Sequence, residues 1–159
     1  MHTLLPLLLA AQAAMQAAPV PAGYITPAEI AATLENAIVK NAIDTPIKMI
    51  DVHGGLSTVA MLHRDKAETG SLIHERATET YYILHGSGSF TTGGALVEAK
   101  PTDLTRLGAG PSLTGGRQGG TSRRVGPGDV IIVPAGTPHG FDQLDSPISY
   151  LVFRFDPGK

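Results

Sequence analysis

Three side chains have the types and placement to hold a metal ion: His74, Glu79 and His139. The first two belong to the stretch His74-Glu75-Arg76-Ala77-Thr78-Glu79-Thr80-Tyr81-Tyr82-Ile83-Leu84-His85-Gly86. The third follows Gly128-Asp129-Val130-Ile131-Ile132-Val133-Pro134-Ala135-Gly136-Thr137-Pro138. Each stretch combines a β-strand pattern with turn residues and sets a donor beside the turn. Two imidazoles and a carboxylate are a donor set that suits a divalent transition metal. Any one of the three alone reads equally well as a capping or surface residue. Glu79, however, shares strand parity with Tyr81 and Ile83, and an inward carboxylate needs a cation or hydrogen bonds to offset its burial.

The elements that position these residues are read from pattern and punctuation. Gly128 and Asp129 suit the turn before the strand, Pro134 ends ladder pairing, and Gly136 permits the reversal from which His139 emerges. Thr78 to His85 is rich in β-formers, and Gly86-Ser87-Gly88 leads into a short return strand, Ser89 to Thr92, closed by Gly93-Gly94. Ile47 to His53, Ser57 to His63, Val130 to Val133 and Ile148 to Phe155 are further strands, with a polar turn over Asp65 to Gly70. Thr26-Pro27-Ala28-Glu29 is a capping box with proline in the first turn, so the spacing of Ile30, Leu34, Ala37 and Ile38 predicts an amphipathic helix over 27–40. Residues 95–124 carry Gly108, Gly110, Gly115, Gly116, Gly119 and Gly120 and read as a long irregular loop. Arg117, Arg123 and Arg124 lie there as a solvated surface or as a contact for an anionic ligand or a partner chain.

The whole chain sets the bounds. Its 159 residues make one domain with a real core. The 19 Gly and 12 Pro among short hydrophobic runs favour many strands joined by turns. The formal net charge of −2, without a basic stripe, argues against a nucleic-acid partner. No cysteine is present, so a metal must be held by nitrogen and oxygen. Met1 to Ala10 resembles the apolar core of a secretory signal, and Ala11-Gln12-Ala13 fits a small-x-small cleavage pattern. The expected organisation is a signal and Pro-rich spacer over 1–22, a helix over 26–41 and a barrel over 45–159. The expected location is periplasmic or secreted, otherwise cytoplasmic. The apolar leader is too short and too interrupted to span a membrane, and no membrane partner is expected once it is removed.

The stretch Gly128-x5-Pro134-x-Gly136-x2-His139 resembles the second motif of the cupin superfamily, whose pattern continues to an Asn where this chain has Gln143. The stretch from Leu72 to Gly86 resembles the first motif, His-x-His, three or four residues, Glu, six residues, Gly. His74 takes the place of the second histidine, four residues separate it from Glu79, and six more separate Glu79 from Gly86. The first histidine of the motif falls at Leu72, which cannot bind a metal. The resemblance covers roughly residues 45–155 and implies an all-β jelly-roll barrel preceded by one helix, of the small single-domain metal-binding type. It also implies a homodimer paired through sheet edges. Carried over position by position, it gives His74, Glu79 and His139 as metal ligands, with the fourth lost.

That set can still form a facial triad with open positions. The expected function is a metal-dependent enzyme acting on a small organic molecule, a dioxygenase with Fe(II) ahead of a lyase or isomerase, Mn, Ni or Zn also being compatible. A non-catalytic small-molecule-binding cupin and a purely structural role are the alternatives. Tyr81 and Arg76 are candidate catalytic residues, the first through its hydroxyl and the second by binding a carboxylate in bidentate fashion. His63 or His53 could replace the missing ligand if the register brings it inward. His85 lies about six residues beyond Glu79, roughly 20 Å at the usual rise, too far for the same ion.

Overall fold

The computed structural model describes residues 17–158. The leader with its Ala11-Gln12-Ala13 pattern lies outside them. Helix α1 (Pro27–Lys40) begins on the capping box: Thr26 Oγ1 accepts the Glu29 N–H, and the Glu29 carboxylate accepts the Thr26 N–H. Asn41, in a left-handed conformation (φ 49°), ends it. Helix α1 packs on β1 (Asp44–Val52) and β2 (Gly55–Arg64) and buries Ala37.

The remaining strands are β3 (Ser71–His74), β4 (Thr78–His85), β5 (Gly88–Thr92), β6 (Ala95–Leu104), β7 (Gly110–Gln118), β8 (Thr121–Val125), β9 (Val130–Val133), β10 (His139–Leu144) and β11 (Ile148–Asp156). They form two antiparallel sheets, one ordered β1-β2-β11-β4-β9 and the other β6-β7-β3-β10-β5-β8. Strand alternation sends Ala60 and Leu62, Tyr81 and Ile83, and Ile148, Tyr150 and Val152 into the space between the sheets, where they meet Phe90, Phe141 and Val133. On the opposite face of the first sheet, Tyr82, Val130, Ile132, Phe153 and Phe155 are exposed.

Residues 95–124 differ from the expected irregular loop: they contain β6, a short 3-10 turn (Thr105–Leu107), β7 and β8. Most of their glycines stand where the chain turns, Gly108, Gly119 and Gly120 all with positive φ. Gly115 sits inside β7 for a different reason, because a Cβ there would fall 2.6 Å from the Val97 carbonyl oxygen of the neighbouring strand. A strand glycine costs only about 0.5–1 kcal/mol, and cross-strand pairing along β6–β7 and β5–β8 offsets that. The arginines of this region are tied down: Arg117 bonds to Asp142, Ser71 and the Thr91 carbonyl, and Arg124 to Asp145. Arg123 borders a hollow of about 290 Å³ with Phe90 and Val130.

Candidate metal centre

Glu79 comes from one sheet and both histidines from the other. Glu79 is the second residue of β4, inward by the same alternation as Tyr81 and Ile83. His74 ends β3, and His139 begins β10 directly after the Gly136 turn (φ 76°). His139 pairs in register with Leu72, so Leu72, His74 and His139 share the inner face. His74 Nε2 lies 3.2 Å from Glu79 Oε1 and His139 Nε2 lies 3.3 Å from Glu79 Oε2. One donor atom from each residue lies within 4.8 Å of the others, and all three residues are buried. Adjacent donors on an ion with bonds of about 2.1 Å stand roughly 3 Å apart, so the set fits a single ion with small adjustment.

The far nitrogen of each imidazole is anchored. His139 Nδ1 lies 2.9 Å from the Thr137 carbonyl oxygen. A carbonyl only accepts, so Nδ1 carries the hydrogen. His74 Nδ1 lies 2.9 Å from Ser112 Oγ, whose own hydroxyl donates to the Gly110 carbonyl at 3.2 Å. The chain His74 Nδ1–H to Ser112 to Gly110 gives His74 the same tautomer. In the neutral form both rings therefore point an Nε2 lone pair at the Glu79 carboxylate.

Glu79 has two further partners. Tyr81 donates its hydroxyl to Oε2 at 2.7 Å, and Arg154 Nε donates to Oε1 at 2.6 Å. Arg154 continues to Asp44 Oδ2 (2.6 Å) and to the Leu107 carbonyl (2.9 Å). Gly108, next along the chain from that carbonyl, has no room for a side chain, since a Cβ there would fall 2.1 Å from Thr58 Oγ1. Burial pushes the Glu79 carboxyl up; when the imidazoles are protonated and donate to it, the bonds from His139 and His74 and the charges of His74 and Arg154 outweigh burial and hold the group well below the usual carboxylate range. Burial, then the neighbouring Glu79 charge, pushes the Tyr81 hydroxyl well above its usual value, so it stays a donor. Burial also raises the Asp44 carboxyl, against the lowering charge of Arg154.

A cavity of about 300 Å³ opens on this cluster. Ile43, Leu62, Leu72, Leu104 and Leu107 form its aliphatic side, and Asp44, Arg64, Glu68 and Arg154 join the cluster on the polar side. Of the residues singled out from sequence, His74, Glu79, Tyr81 and His139 meet here. Arg76 does not: its guanidinium is held by Asp156, with Nε 3.1 Å from Oδ1 and Nη2 2.9 Å from Oδ2. Neither alternative histidine supplies a fourth ligand. His63 Nδ1 bonds Ser149 at 2.8 Å, and His53 is an exposed turn residue with φ 59°. Leu72 leaves the fourth position aliphatic, and His85 is exposed at the far end of β4.

Sequence reasoning missed Arg154, Asp44 and Arg64. For Arg154 the signal was present: it continues the inward parity of Ile148, Tyr150 and Val152, and a cation on that face requires a buried partner. The register sets it opposite Glu79.

No family model matches the chain, and no curated protein sequence matches it. Solved structures are similar to it. A protein of Bacillus halodurans superposes with a TM-score of 0.52 at 14% identity, over 87% of this chain and 85% of that one. A cupin protein from Bacteroides fragilis gives 0.41 at 17% identity, over 69% of this chain and 72% of its own. The DMSP lyase DddQ of Ruegeria pomeroyi gives 0.41 at 22% identity, over 67% of this chain but 40% of its own length. With two facing antiparallel sheets, His74 and His139 on one and Glu79 on the other, this chain has the jelly-roll fold that its resemblance to the cupin superfamily implies.

Proposed function

We propose that the protein is a metal-dependent enzyme acting on a small organic molecule, its ion held by His74, Glu79 and His139. One observation carries this reading. With Nδ1–H of His139 committed to the Thr137 carbonyl, a neutral ring sets its Nε2 lone pair 3.3 Å from an ionised oxygen of Glu79. Two lone pairs so close in a buried site repel unless a cation lies between them. His74 repeats the arrangement at 3.2 Å. A single divalent ion satisfies both imidazoles and the carboxylate. The bonds from Ser112 and Thr137 to the outer nitrogens, and from Tyr81 and Arg154 to the carboxylate, are of the kind that orient metal ligands.

A bound ion would act as a Lewis acid or lower the pKa of a coordinated water, and with Fe(II) it would support dioxygenase chemistry ahead of lyase or isomerase chemistry. The protein's own residues do the rest. Tyr81 keeps its proton and fixes the carboxylate plane, Arg154 holds Oε1, and the aliphatic side of the cavity keeps bulk water from the cluster. Metal analysis of protein purified without chelators or metal-affinity resin tests the reading. About one equivalent of a first-row metal is expected, with His139→Ala and Glu79→Gln each losing it. Oxygen uptake that depends on Fe(II) identifies the dioxygenase; turnover restored by Zn without oxygen identifies the lyase or isomerase. Wild-type protein that takes up no divalent ion rejects the proposal.

One feature favours a second reading, a non-catalytic small-molecule-binding cupin. Arg154 already gives Glu79 a buried cation partner at 2.6 Å. In that case the histidines are protonated donors, and His139→Ala leaves small-molecule affinity intact.

A further inference from the structure

We infer that Arg64 is the residue that selects and orients the substrate, by taking the carboxylate of a small, partly apolar acid at the neck of the cavity. The inference rests on the metal reading for its charge balance and on geometry for its place.

Arg64 borders two spaces at once. One is the cavity of about 300 Å³ over the cluster. The other is a wider groove of about 670 Å³ running outward past Lys66, Lys100 and Thr114. Ile43, Arg64, Glu68 and Leu72 are common to both, so the two spaces meet at these side chains. Among these four, Arg64 is the only cation.

Its guanidinium is half committed. Nε donates to Tyr150 Oη at 2.9 Å, and Nη2 lies 3.0 Å from Glu68 Oε1. Glu68 is itself held, because its Oε2 accepts the Phe141 N–H at 2.8 Å. These bonds pin one edge of the fork. Of the five N–H groups a guanidinium carries, Nη1 and the second hydrogen of Nη2 have no protein acceptor among the described residues. Nη1 is not a buried unpartnered atom either: among the described residues Thr58 Oγ1 is the one buried side-chain polar atom without a partner. The free edge therefore opens onto solvent-accessible space while the stem is fixed, the arrangement required for bidentate capture of a planar carboxylate.

Charge selects the same class. Around the inner cavity stand three carboxylates (Asp44, Glu68, Glu79) and two guanidiniums (Arg64, Arg154). With neutral imidazoles this leaves a deficit of one positive charge, and a divalent ion turns the deficit into an excess of one. A single carboxylate closes the balance, whereas a phosphate monoester carries about −1.5 to −2 and overshoots. The apolar part of the acid would lie against Leu62, Leu72, Leu104 and Leu107.

The test uses matched pairs of probes on metal-loaded protein: butyrate against butyramide and benzoate against benzamide, titrated by calorimetry. Wild type is expected to bind each acid at least about tenfold more tightly than its amide. Arg64→Gln removes that preference while metal content stays unchanged, and Arg64→Lys keeps part of it. Equal binding of acid and amide by wild type, which needs no variant to fold, overturns the inference, as does a preference that survives in folded Arg64→Gln. Metal content separates the two proposals. Protein that takes up no ion yet shows an Arg64-dependent preference for benzoate sinks the metal reading and keeps this one.

Discussion

Arg154 Nε lies 2.6 Å from Glu79 Oε1, across a register that pairs the two residues on adjacent strands β11 and β4. Their side chains are 2% and 1% exposed, so the pair is shielded from water, and Asp44 takes the other end of the guanidinium. Removing one partner of such a pair leaves an uncompensated buried charge, at a cost of about 3–5 kcal/mol. Arg154→Gln is therefore expected to lower the urea midpoint of the metal-free protein strongly. Under the metal proposal an added ion replaces the lost cation beside Glu79, so Zn should raise the melting temperature of this variant more than that of wild type. Equal shifts in the two proteins would count against an ion at Glu79.

Glu79 also predicts an acid limb. Its folded pKa lies well below the usual range: burial raises it, and the bonds to His139 and His74 with the charges of His74 and Arg154 more than reverse that. A depressed carboxylate contributes stability that is complete above the unfolded value of about 4.3 and is lost as pH falls through the folded value. Metal-free wild type should thus lose stability progressively below about pH 4. Glu79→Gln, less stable at pH 7, should show a flatter profile over the same window in denaturant titrations.

Arg76 and Asp156 form a pair that is open to solvent on the arginine side. Burial pushes the Asp156 carboxyl up, but the bonds from Arg76 and the Gly158 N–H, together with the Arg76 charge, bring it below its usual value. The Arg76 side chain is 34% exposed, so solvent screening limits the pair to about 0.5–1 kcal/mol. Arg76→Ala should cost that much at pH 7, less in high salt, and nothing once pH has fallen through the folded pKa of Asp156. Because Arg76 does not reach the cluster, the variant should bind metal like wild type, and a changed metal content would contradict that placement.

The cluster itself was legible in the sequence because its three residues sit at turn-anchored strand ends, where spacing and parity fix direction. His74, Glu79 and His139 meet as those patterns require. What surrounds them was not legible, because it depends on which strands become neighbours. Arg154 faces Glu79 only because β11 lies between β2 and β4. Arg64 reaches the cavity from the end of β2, and Asp44 reaches Arg154 from the start of β1. Residues 95–124 misled for a local reason: glycine count signals broken structure, whereas here most of the glycines mark the ends of strands, and one marks a close backbone contact.

Leu72 offers a gain-of-function test of the same geometry. It pairs in register with His139, shares the inner face with His74, and lines the cavity beside both. An imidazole at this position would approach the cluster from the side that is now aliphatic and would supply the fourth protein ligand. Leu72→His is expected to tighten Zn binding by roughly tenfold or more, about 1.4 kcal/mol, in competition with a chromogenic chelator. The added ligand fills one of the open positions, so metal-dependent turnover should fall as affinity rises. A folded variant with unchanged affinity would mean that no ion sits between His74, Glu79 and His139, since the new donor has no other route to the site.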